Sequence, residues 1–419
     1  EIYTLSLHDA LPILLIGKDT RKSGDMLEAA LTAGLCSMGA KVIPLGVVPT
    51  PAVAYLTRYY KADAGVVISA SHNPCEYNGI KFFNSDGYKL SDGIENEIES
   101  YILGEKAIEE LPTHGKVGYV SANHNAVEDY VAFAVSTIDC RLDGMKIAVD
   151  CANGASYETA FKALNKLGAN VEAIHNTPDG VNINHMCGST HMESLQAYVT
   201  SIGADIGIAF DGDADRMLAV DENGKLIDGD QIMAACAKFM RDNGTLKQNT
   251  LVATVMSNLG LFMAGEKIGI NIPRTKVGDR YVLEEMLAKG YNIGGEQSGH
   301  IIFLDHNTTG DGLVSALQFL SVLKKTGMKA SEAASIVTVM PQVLRNAVVK
   351  LENKNSYMEN EEIAAACKAL EDEFAGEGRV LIRPSGTEPL VRVMIEGKDE
   401  EYITKKAEEL AELIEKILG

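Results

Sequence analysis

Apolar segments alternate with segments that repeat apolar residues at helical spacing along most of the chain. Short apolar runs predict buried strands, and the helical repeats predict amphipathic helices. The predicted strands are 13–16, 41–45, 64–68, 145–150, 205–210, 250–255 and 300–304, and the predicted helices are 26–38, 157–167, 259–267 and 281–289. An alternation of this kind indicates parallel βαβ units.

The alternation restarts twice, which divides the chain into blocks. A chain of 419 residues is too long for one hydrophobic core. Beyond residue 339 the pattern changes to strands at 343–350, 379–383 and 390–396, with helices at 361–374 and at the end, which indicates an α+β unit. We therefore predict three consecutive α/β domains and one α+β domain, bounded as 1–138, 139–246, 247–339 and 340–419.

The charge and the cysteines limit the kinds of partner and compartment. The formal charge is -20 and the pI is about 4.9, so the surface repels nucleic acid and anionic lipid. No apolar run reaches the roughly 18–20 residues of a membrane span. The seven cysteines are dispersed without a C-x-x-C pair, and no secretory signal is visible. We therefore expect a cytoplasmic protein with reduced thiols that binds neither nucleic acid nor membrane.

A loop with two serines follows the predicted strand 64–68. Its sequence is S-A-S-H-N-P at residues 69–74. Parallel sheets bind ligands at the carboxyl ends of their strands, so Ser71 is a candidate for chemistry at that edge. A turn of Ser, Asn and Pro that only closes a βα unit is the alternative, and the loop alone leaves it open.

An acidic loop, D-G-D-A-D-R at 211–216, follows the predicted strand 205–210. Its three carboxylates occupy alternate positions, which project to one side of an extended segment. Converging carboxylates need a hard cation such as Mg²⁺. A calcium loop with Glu222 at its twelfth position fails because Arg216 occupies the sixth position, where that loop needs glycine. A solvated acidic turn remains open.

Two later loops carry groups that suit hydroxyls and anions. The loop G-G-E-Q-S-G-H at 294–300 joins a carboxylate, a hydroxyl and an imidazole, although a lone histidine is more often structural. The loop R-P-S-G-T-E-P at 383–389, with Arg392 beyond it, joins guanidinium groups, hydroxyls and a glycine, which suits phosphate. A Pro/Gly turn with surface arginines is the alternative for the second loop.

These four loops, in this order, resemble those of the α-D-phosphohexomutase family. The family motifs are S-A-S-H-N-P, D-G-D-x-D-R, G-E-x-S-G-H and R-x-S-G-T-E-P, and the resemblance covers nearly the whole chain. It implies three α/β/α mixed-sheet domains and a C-terminal α+β domain with a TATA-box-binding-protein-like fold, arranged around a central cleft. It also implies an enzyme that holds one Mg²⁺ per active site and acts on a sugar phosphate.

The resemblance also implies roles for individual residues. Ser71 would carry a phosphoryl group, and a phosphate oxygen on it would join Asp211, Asp213 and Asp215 as a Mg²⁺ ligand. The phosphoserine would be stabilised by His72 and Arg216, and the candidates for proton transfer are Lys81, His300 and Arg21. Lys81 could equally be an electrostatic anchor. The sugar would contact Glu296 and Ser298, and the phosphate that does not react would contact Arg383, Ser385, Gly386, Thr387 and Arg392.

Within the family, four features resemble the branch that acts on glucosamine phosphates. They are Gln297, T-K-V-G-D-R at 275–280, N-I-N at 182–184 and C-G-S-T-H at 187–191. Such an enzyme interconverts glucosamine 6-phosphate and glucosamine 1-phosphate through glucosamine 1,6-bisphosphate, on the route to UDP-N-acetylglucosamine and cell-wall precursors. A branch acting on mannose or glucose phosphates, a metal-dependent phosphatase and an inactive sugar-phosphate binder are the alternatives. The sequence leaves a homodimer open.

The first residues depart from the family pattern. The family opens with F-G-T-D-G-x-R-G, whereas residues 1–12 read EIYTLSLHDALP and family-like sequence starts near Ile13. We therefore expect an N-terminally truncated first domain, which keeps the inactive binder among the alternatives.

Overall fold

The computed structural model describes residues 11–108, 110–122, 125–357, 359–385 and 388–419. These residues form two compact units. The first contains the described residues up to Met256 together with Gly269–Ile336, and the second contains Ser257–Ile268 and Val337–Gly419.

The first sheet of the first unit has five strands in the order β4-β3-β1-β2-β5. Its elements are β1 (Ile13–Lys18), α1 (Ser23–Ser37), β2 (Lys41–Val47), α2 (Thr50–Tyr59), β3 (Ala64–Ile68), β4 (Ile80–Asn84), α3 (Asp92–Ile102), β5 (Tyr119–Val120) and α4 (Ala126–Ser136). All neighbours pair in parallel except β4, which pairs antiparallel with β3. The predicted strands are confirmed. Helices α2, α3 and α4 are not among the predicted helices; in α2 the accessible side is limited to Tyr55, Arg58 and Tyr59, which leaves little polar pattern in the sequence.

The second sheet of this unit has the order β10-β9-β8-β6-β7. Its elements are β6 (Lys146–Asp150), α5 (Ser156–Lys166), β7 (Asn170–Ile174), α6 (Glu193–Ile202), β8 (Ile206–Phe210), β9 (Met217–Asp221), β10 (Leu226–Ile227) and α7 (Gly229–Asp242). Strands β6, β7 and β8 are parallel, whereas β9 and β10 are antiparallel. Every residue of β8 and β9 is buried, which explains their continuous apolar sequences.

The third block has short strands in place of a continuous sheet. Its elements are β11 (Ala253–Thr254), β12 (Arg274–Thr275), α9 (Asp279–Lys289), β13 (Ile293–Gly295), β14 (Ile301–Phe303), α10 (Gly312–Thr326) and α11 (Ala330–Ala334), and α8 (Leu259–Ile268) lies between β11 and β12 in the chain. Strand β11 is shorter than predicted because Thr250 and Val252 pair only as isolated bridges.

The second unit is an antiparallel sheet covered by helices, as predicted for an α+β domain. Strands β15 (Gln342–Val348), β16 (Arg379–Pro384) and β17 (Leu390–Glu396) take the order β15-β17-β16, with helices α12 (Glu361–Phe374) and α13 (Glu400–Leu418). Helix α8 groups with this sheet: the Leu259 N–H donates to Glu396 Oε2 (3.2 Å), and Arg379 Nη2 donates to the carbonyl of Ser257 (2.9 Å). The predicted domain boundaries, which place α8 in the third domain, stay predictions.

Two predictions, one about membrane spans and one about the cysteines, can be compared with the structure. Among the described residues, no helix has the length and apolar character that a membrane crossing requires. All seven cysteines lie in the described ranges, and each is a free thiol.

Candidate active site

The acidic loop, residues 211–216, connects β8 to β9. Phe210 and Met217 are partners in the antiparallel pairing of these strands, so the loop lies at the carboxyl end of β8. Asp211, Asp213 and Asp215 are all buried, and each offers a carboxylate oxygen within 4.8 Å of the others. The structure therefore brings together the three carboxylates that the sequence predicts to converge.

Ser71 lies in the loop between β3 and β4 and contacts the acidic loop directly. Its hydroxyl donates a hydrogen bond to Asp211 Oδ2 at 2.7 Å. Its φ is 50°, a left-handed conformation that costs a residue with a side chain about 1–3 kcal/mol. Its N–H donates to Ser69 Oγ (3.0 Å), and that hydroxyl donates to Asp19 Oδ2 (2.6 Å). These contacts hold the strained serine with its hydroxyl toward the carboxylates.

The side chain of Arg21 binds the backbone of the serine loop. Its guanidinium is buried, and all five of its N–H donors are used. Nε donates to Asp19, and the terminal nitrogens donate to the carbonyls of Pro74, Tyr77, Ser71 and Asn73. These contacts support a positioning role for Arg21, and its catalytic role stays a prediction.

Two cations and a hydroxyl face the triad. Lys81 on β4 donates from Nζ to Asp213 Oδ2 (2.9 Å) and lies 3.8 Å from Asp215 Oδ2. Thr50, the first residue of α2, donates from Oγ1 to the same Asp213 oxygen (2.7 Å). Arg216 places Nε 3.8 Å from Asp215 Oδ1. The site is therefore a buried cluster of three carboxylates with two compensating positive charges.

Burial and neighbouring charges shift the pKa values of Asp211, Asp213 and Lys81 differently. Burial, reinforced by the charges of Asp215 and Asp213, raises the pKa of Asp211 well above its usual value. Burial would also raise the pKa of Asp213, but the charge and the hydrogen bond of Lys81 outweigh it and lower that pKa. The carboxylates in turn raise the pKa of Lys81, although burial alone would lower it. Lys81 is therefore a cation at neutral pH, which favours the anchor over the base.

The triad fits a metal ion. Within the described part of the chain, Oδ1 of Asp213 and Oδ1 of Asp215 are buried and have no hydrogen-bond partner. Buried anionic oxygens without hydrogen bonds are costly, and carboxylate oxygens are the ligands that hard cations such as Mg²⁺ prefer. The buried acidic triad could therefore hold a metal beside the Ser71 hydroxyl, and the solvated acidic turn is excluded by its burial.

The loop with the predicted sugar-binding residues joins β13 to β14 and packs against the first residue of β9, directly after the acidic loop. The Met217 N–H donates to the carbonyl of Gly299 (3.0 Å). Gly299 has φ +93°, and a Cβ there would lie 2.3 Å from the Met217 carbonyl oxygen, so only glycine fits. Glu296 is half-buried and accepts a hydrogen bond from the Gly278 N–H (3.1 Å), whereas Ser298 is exposed. Both side chains stay candidates for sugar contacts.

The two predicted histidines occupy different environments. His300 is buried, and neither ring nitrogen has a hydrogen-bond partner among the described residues. Its Nε2 lies 3.6 Å from Asp279 Oδ2. These unpaired nitrogens do not match the alternative of a hydrogen-bonded structural histidine. His72 places Nδ1 3.5 Å from Ser71 Oγ, and burial together with the charge of Arg216 lowers the pKa of His72.

The predicted phosphate-binding arginines lie in the second unit. Arg383 on β16 and Arg392 on β17 are direct cross-strand partners. Like charges in this position are destabilising, and burial and the charge of Arg392 lower the pKa of Arg383. Ser385 is buried, and its hydroxyl accepts from the Glu388 N–H (3.3 Å). Such an arginine pair is suited to sharing one anion. Gly386 and Thr387 lie outside the described residues.

A second group of potential metal ligands contains Asp150, His175 and Cys187. Both Asp150 oxygens have partners, because Oδ1 accepts from the Ala152 N–H (2.8 Å) and Oδ2 lies 2.8 Å from His175 Nδ1. Burial and the Asp150 charge raise the pKa of the Cys187 thiol to about 12, so it is neutral. Hydrogen bonds within the protein therefore explain why these three side chains lie together, and the group stabilises the segment after β6.

Three residues of the site are not predicted from the sequence as site residues: Asp19, Thr50 and Asn184. Asp19 directly follows β1, and Thr50 follows β2 closely, so both lie at the carboxyl edge that holds the predicted loops. The strand-end rule applied to every strand would have found them. Asn184 lies in the segment between β7 and α6, and its Nδ2 donates to the Ser71 carbonyl (2.8 Å). In the sequence, its place in N-I-N at 182–184 is the signal that draws attention to it.

Comparison with known proteins defines the class of this fold and site. The four domains described as phosphoglucomutase/phosphomannomutase alpha/beta/alpha domains I, II and III and C-terminal domain match residues 4–109, 127–224, 228–340 and 347–413. The chain belongs to the phosphoglucomutase/phosphomannomutase family, which confirms the resemblance drawn from the four loops.

A curated relative makes the relationship more specific. The phosphoglucosamine mutase of Ruminiclostridium cellulolyticum is 63% identical over 404 residues, which cover 96% of this chain and 90% of that protein. The predicted class, an isomerase of the phosphohexomutase type, is confirmed.

Solved structures share the fold. A family member from Burkholderia thailandensis has a TM-score of 0.78 at 23% identity, over 96% of this chain and 89% of that one. The N-acetylphosphoglucosamine mutase of Aspergillus fumigatus, in complex with GlcNAc-6P and magnesium, has a TM-score of 0.65 at 19% identity, over 88% of this chain and 93% of that one. The predicted four-domain phosphohexomutase architecture is confirmed at the level of the fold.

Proposed function

We propose that this chain interconverts glucosamine 6-phosphate and glucosamine 1-phosphate through a phosphoserine at Ser71. The observation that carries the proposal is the 2.7 Å hydrogen bond from Ser71 Oγ to Asp211 at the edge of a buried carboxylate triad. The relative at 63% identity, which is named for this reaction, supports the choice of substrate.

The reaction would proceed by two phosphoryl transfers. The phosphoserine gives its phosphoryl group to the anomeric oxygen of glucosamine 6-phosphate. The anomeric hydroxyl gives up its proton, and the Ser71 oxygen takes up a proton as its bond to phosphorus breaks. The product is glucosamine 1,6-bisphosphate. After this intermediate reorients in the site, the Ser71 hydroxyl gives up its proton and its oxygen accepts the 6-phosphoryl group. The 6-oxygen takes up a proton, which leaves glucosamine 1-phosphate. Bond making and breaking balance, because each transfer exchanges one oxygen–phosphorus bond for another.

The residues of the site would manage charge and position. A phosphoserine carries nearly two negative charges at neutral pH, next to carboxylates that are already buried. Lys81 and Arg216 supply two positive charges at this edge. Asp211, Asp213 and Asp215, with the phosphate on Ser71, would hold one Mg²⁺, which when bound would polarise the phosphoryl group. The transfer itself then depends mainly on in-line positioning.

The contacts of Lys81 support a group other than Lys81 for the proton transfer. Its Nζ donates to Asp213 Oδ2 (2.9 Å), and the carboxylates raise its pKa, which favours the charged form. His300, with both ring nitrogens unpaired among the described residues, has capacity to accept or donate one. We therefore assign Lys81 to charge neutralisation and keep His300 as the candidate acid–base.

The substrate's other phosphate would bind at Arg383 and Arg392. We predict that Arg383→Lys raises the KM for glucosamine 6-phosphate about ten- to hundredfold, because lysine keeps the charge but loses the guanidinium fork, worth about 1.5–3 kcal/mol. The intermediate should also escape more often, giving a lag that added glucosamine 1,6-bisphosphate shortens. Steady-state kinetics with and without the bisphosphate measure both effects.

Arg345→Lys is the matched control for that substitution. Arg345 lies in the same sheet and forms an exposed ion pair with Glu408 (2.9 Å), so its KM should stay at the parent value. An unchanged KM and no lag in Arg383→Lys would place the phosphate site elsewhere.

One assay distinguishes the proposed reaction from its alternatives. Purified protein is incubated with glucosamine 6-phosphate, Mg²⁺ and a trace of glucosamine 1,6-bisphosphate. Glucosamine 1-phosphate as the main product supports the proposal. Free phosphate would indicate the phosphatase, no product the inactive binder, and faster turnover of mannose or glucose phosphates another branch. The cytoplasmic location and the homodimer stay predictions.

A further inference from the structure

The backbone of the serine loop has two carbonyls that each accept two side-chain hydrogen bonds. The Ser71 carbonyl accepts from Arg21 Nη2 (3.0 Å) and from Asn184 Nδ2 (2.8 Å). The Asn73 carbonyl accepts from the same two nitrogens, at 2.8 Å and 3.0 Å. The two carbonyls are therefore held between the Arg21 guanidinium, from the loop after β1, and the Asn184 amide, from the segment after β7.

Asn184 is itself held in place by the second sheet. It is 7% exposed and has a left-handed φ of 57°. Its N–H donates to the Ala152 carbonyl (2.9 Å). Ala152 is in turn fixed by its N–H bond to Asp150. The amide thus joins the serine loop to the end of β6, whose neighbour β8 carries the acidic loop.

Two further observations point to positioning. The nearby Gly212 leaves no space, because a Cβ there would lie 2.6 Å from both Asn184 Nδ2 and the Ser71 carbonyl oxygen. The orientation of the amide also leaves Asn184 Oδ1 buried with no partner in the described part of the chain. A side chain selected only for stability would avoid that cost. The contacts therefore serve the alignment of the serine loop with the acidic loop.

We infer that Asn184 is a positioning residue that aligns the Ser71 hydroxyl for phosphoryl transfer. This inference rests on the proposed function, since it concerns the same serine. Removing the amide leaves Arg21 as the remaining side-chain donor to the two carbonyls, among the described residues. Ser71 can then leave its left-handed conformation, which increases the distance between its hydroxyl and Asp211.

The test is Asn184→Gly, because glycine adopts a positive φ without strain and removes the side chain together with its amide. We expect kcat to fall about ten- to hundredfold, since small displacements of a reacting group cost that much. The KM for glucosamine 6-phosphate should change less than threefold. In single turnover, glucosamine 1,6-bisphosphate should phosphorylate Ser71 more slowly by a similar factor. Asn249→Gly, another left-handed asparagine, in an exposed 3₁₀ turn, is the matched control and should keep the parent kcat.

A second variant covers a failure of the first to fold. Asn184→Asp keeps the shape but replaces the donor with an acceptor that faces two carbonyls, so kcat should fall at least as far. Parent-like kcat in a folded variant, or a loss that appears in KM alone, overturns the inference. That result is distinct from failure of the proposed function, in which the parent protein would make no glucosamine 1-phosphate or would carry its phosphoryl group on a residue other than Ser71.

Discussion

Ser71→Ala is expected to lose mutase activity by about 10⁴-fold or more, because no covalent route remains without the nucleophile. The fold should persist. Alanine has a Cβ as serine does, so the strain at φ 50° is unchanged, and the loss is limited to the hydroxyl's contacts with Asp211 and His72. Initial rates of glucosamine 1-phosphate formation measure the activity, and thermal melting checks the fold.

The assignment to Ser71 can be checked independently of turnover. Incubation with glucosamine 1,6-bisphosphate should add one phosphoryl group to the parent protein, located by peptide mass spectrometry at Ser71, and none to Ser71→Ala. Ser201→Ala is the control, since Ser201 is an exposed serine on α6 whose hydroxyl donates to the Tyr198 carbonyl. A phosphoryl group on Ser69, or normal turnover by Ser71→Ala, would refute the assignment.

The serine loop and the acidic loop could be predicted because each follows a strand with a strong apolar signal. Residues 206–210 read IGIAF and are all buried, so the run marks both the strand and the place where the acidic loop begins. The run AGVVI at 64–68 does the same for the serine loop. Local sequence is sufficient here, because a buried parallel strand places the loop that follows it at the carboxyl edge of the sheet, where such sheets bind ligands.

The partners of these loops could not be predicted in the same way. Thr50 bonds to Asp213 across 163 residues, and Asn184 bonds to Ser71 across 113. No local pattern encodes a contact between residues so far apart in the chain. Strands β4 and β9 pair antiparallel with β3 and β8. Strand–helix alternation alone favours parallel units, so it does not predict the direction of these two strands. The apolar pattern of residues 259–267 predicts helix α8. Its grouping with the C-terminal sheet depends on contacts with Glu396 and Arg379, which that pattern does not show.

Asp213→Asn is expected to lower both the activity and the affinity for Mg²⁺. The amide keeps the size of the side chain and can still accept from Thr50, but one anionic ligand of the buried triad becomes neutral. We expect the Mg²⁺ concentration for half-maximal activity to rise at least about tenfold and the maximal rate to fall about 10²-fold, which corresponds to about 3 kcal/mol of transition-state stabilisation.

A readout without catalysis separates metal binding from chemistry. Binding of an ion to the folded state alone raises the melting temperature, so the difference between melting with and without Mg²⁺ should shrink in Asp213→Asn, whatever the change in basal stability from the lost Lys81 ion pair. Asp242→Asn is the matched control, because Asp242 also pairs with a lysine, Lys238 (2.7 Å), but lies on the exposed face of α7. Equal Mg²⁺-dependent stabilisation in the two variants and the parent would mean that the buried triad does not hold the metal. Among the side chains placed at this site, Lys81 and Arg216 alone would then have to neutralise the charge of the phosphoserine.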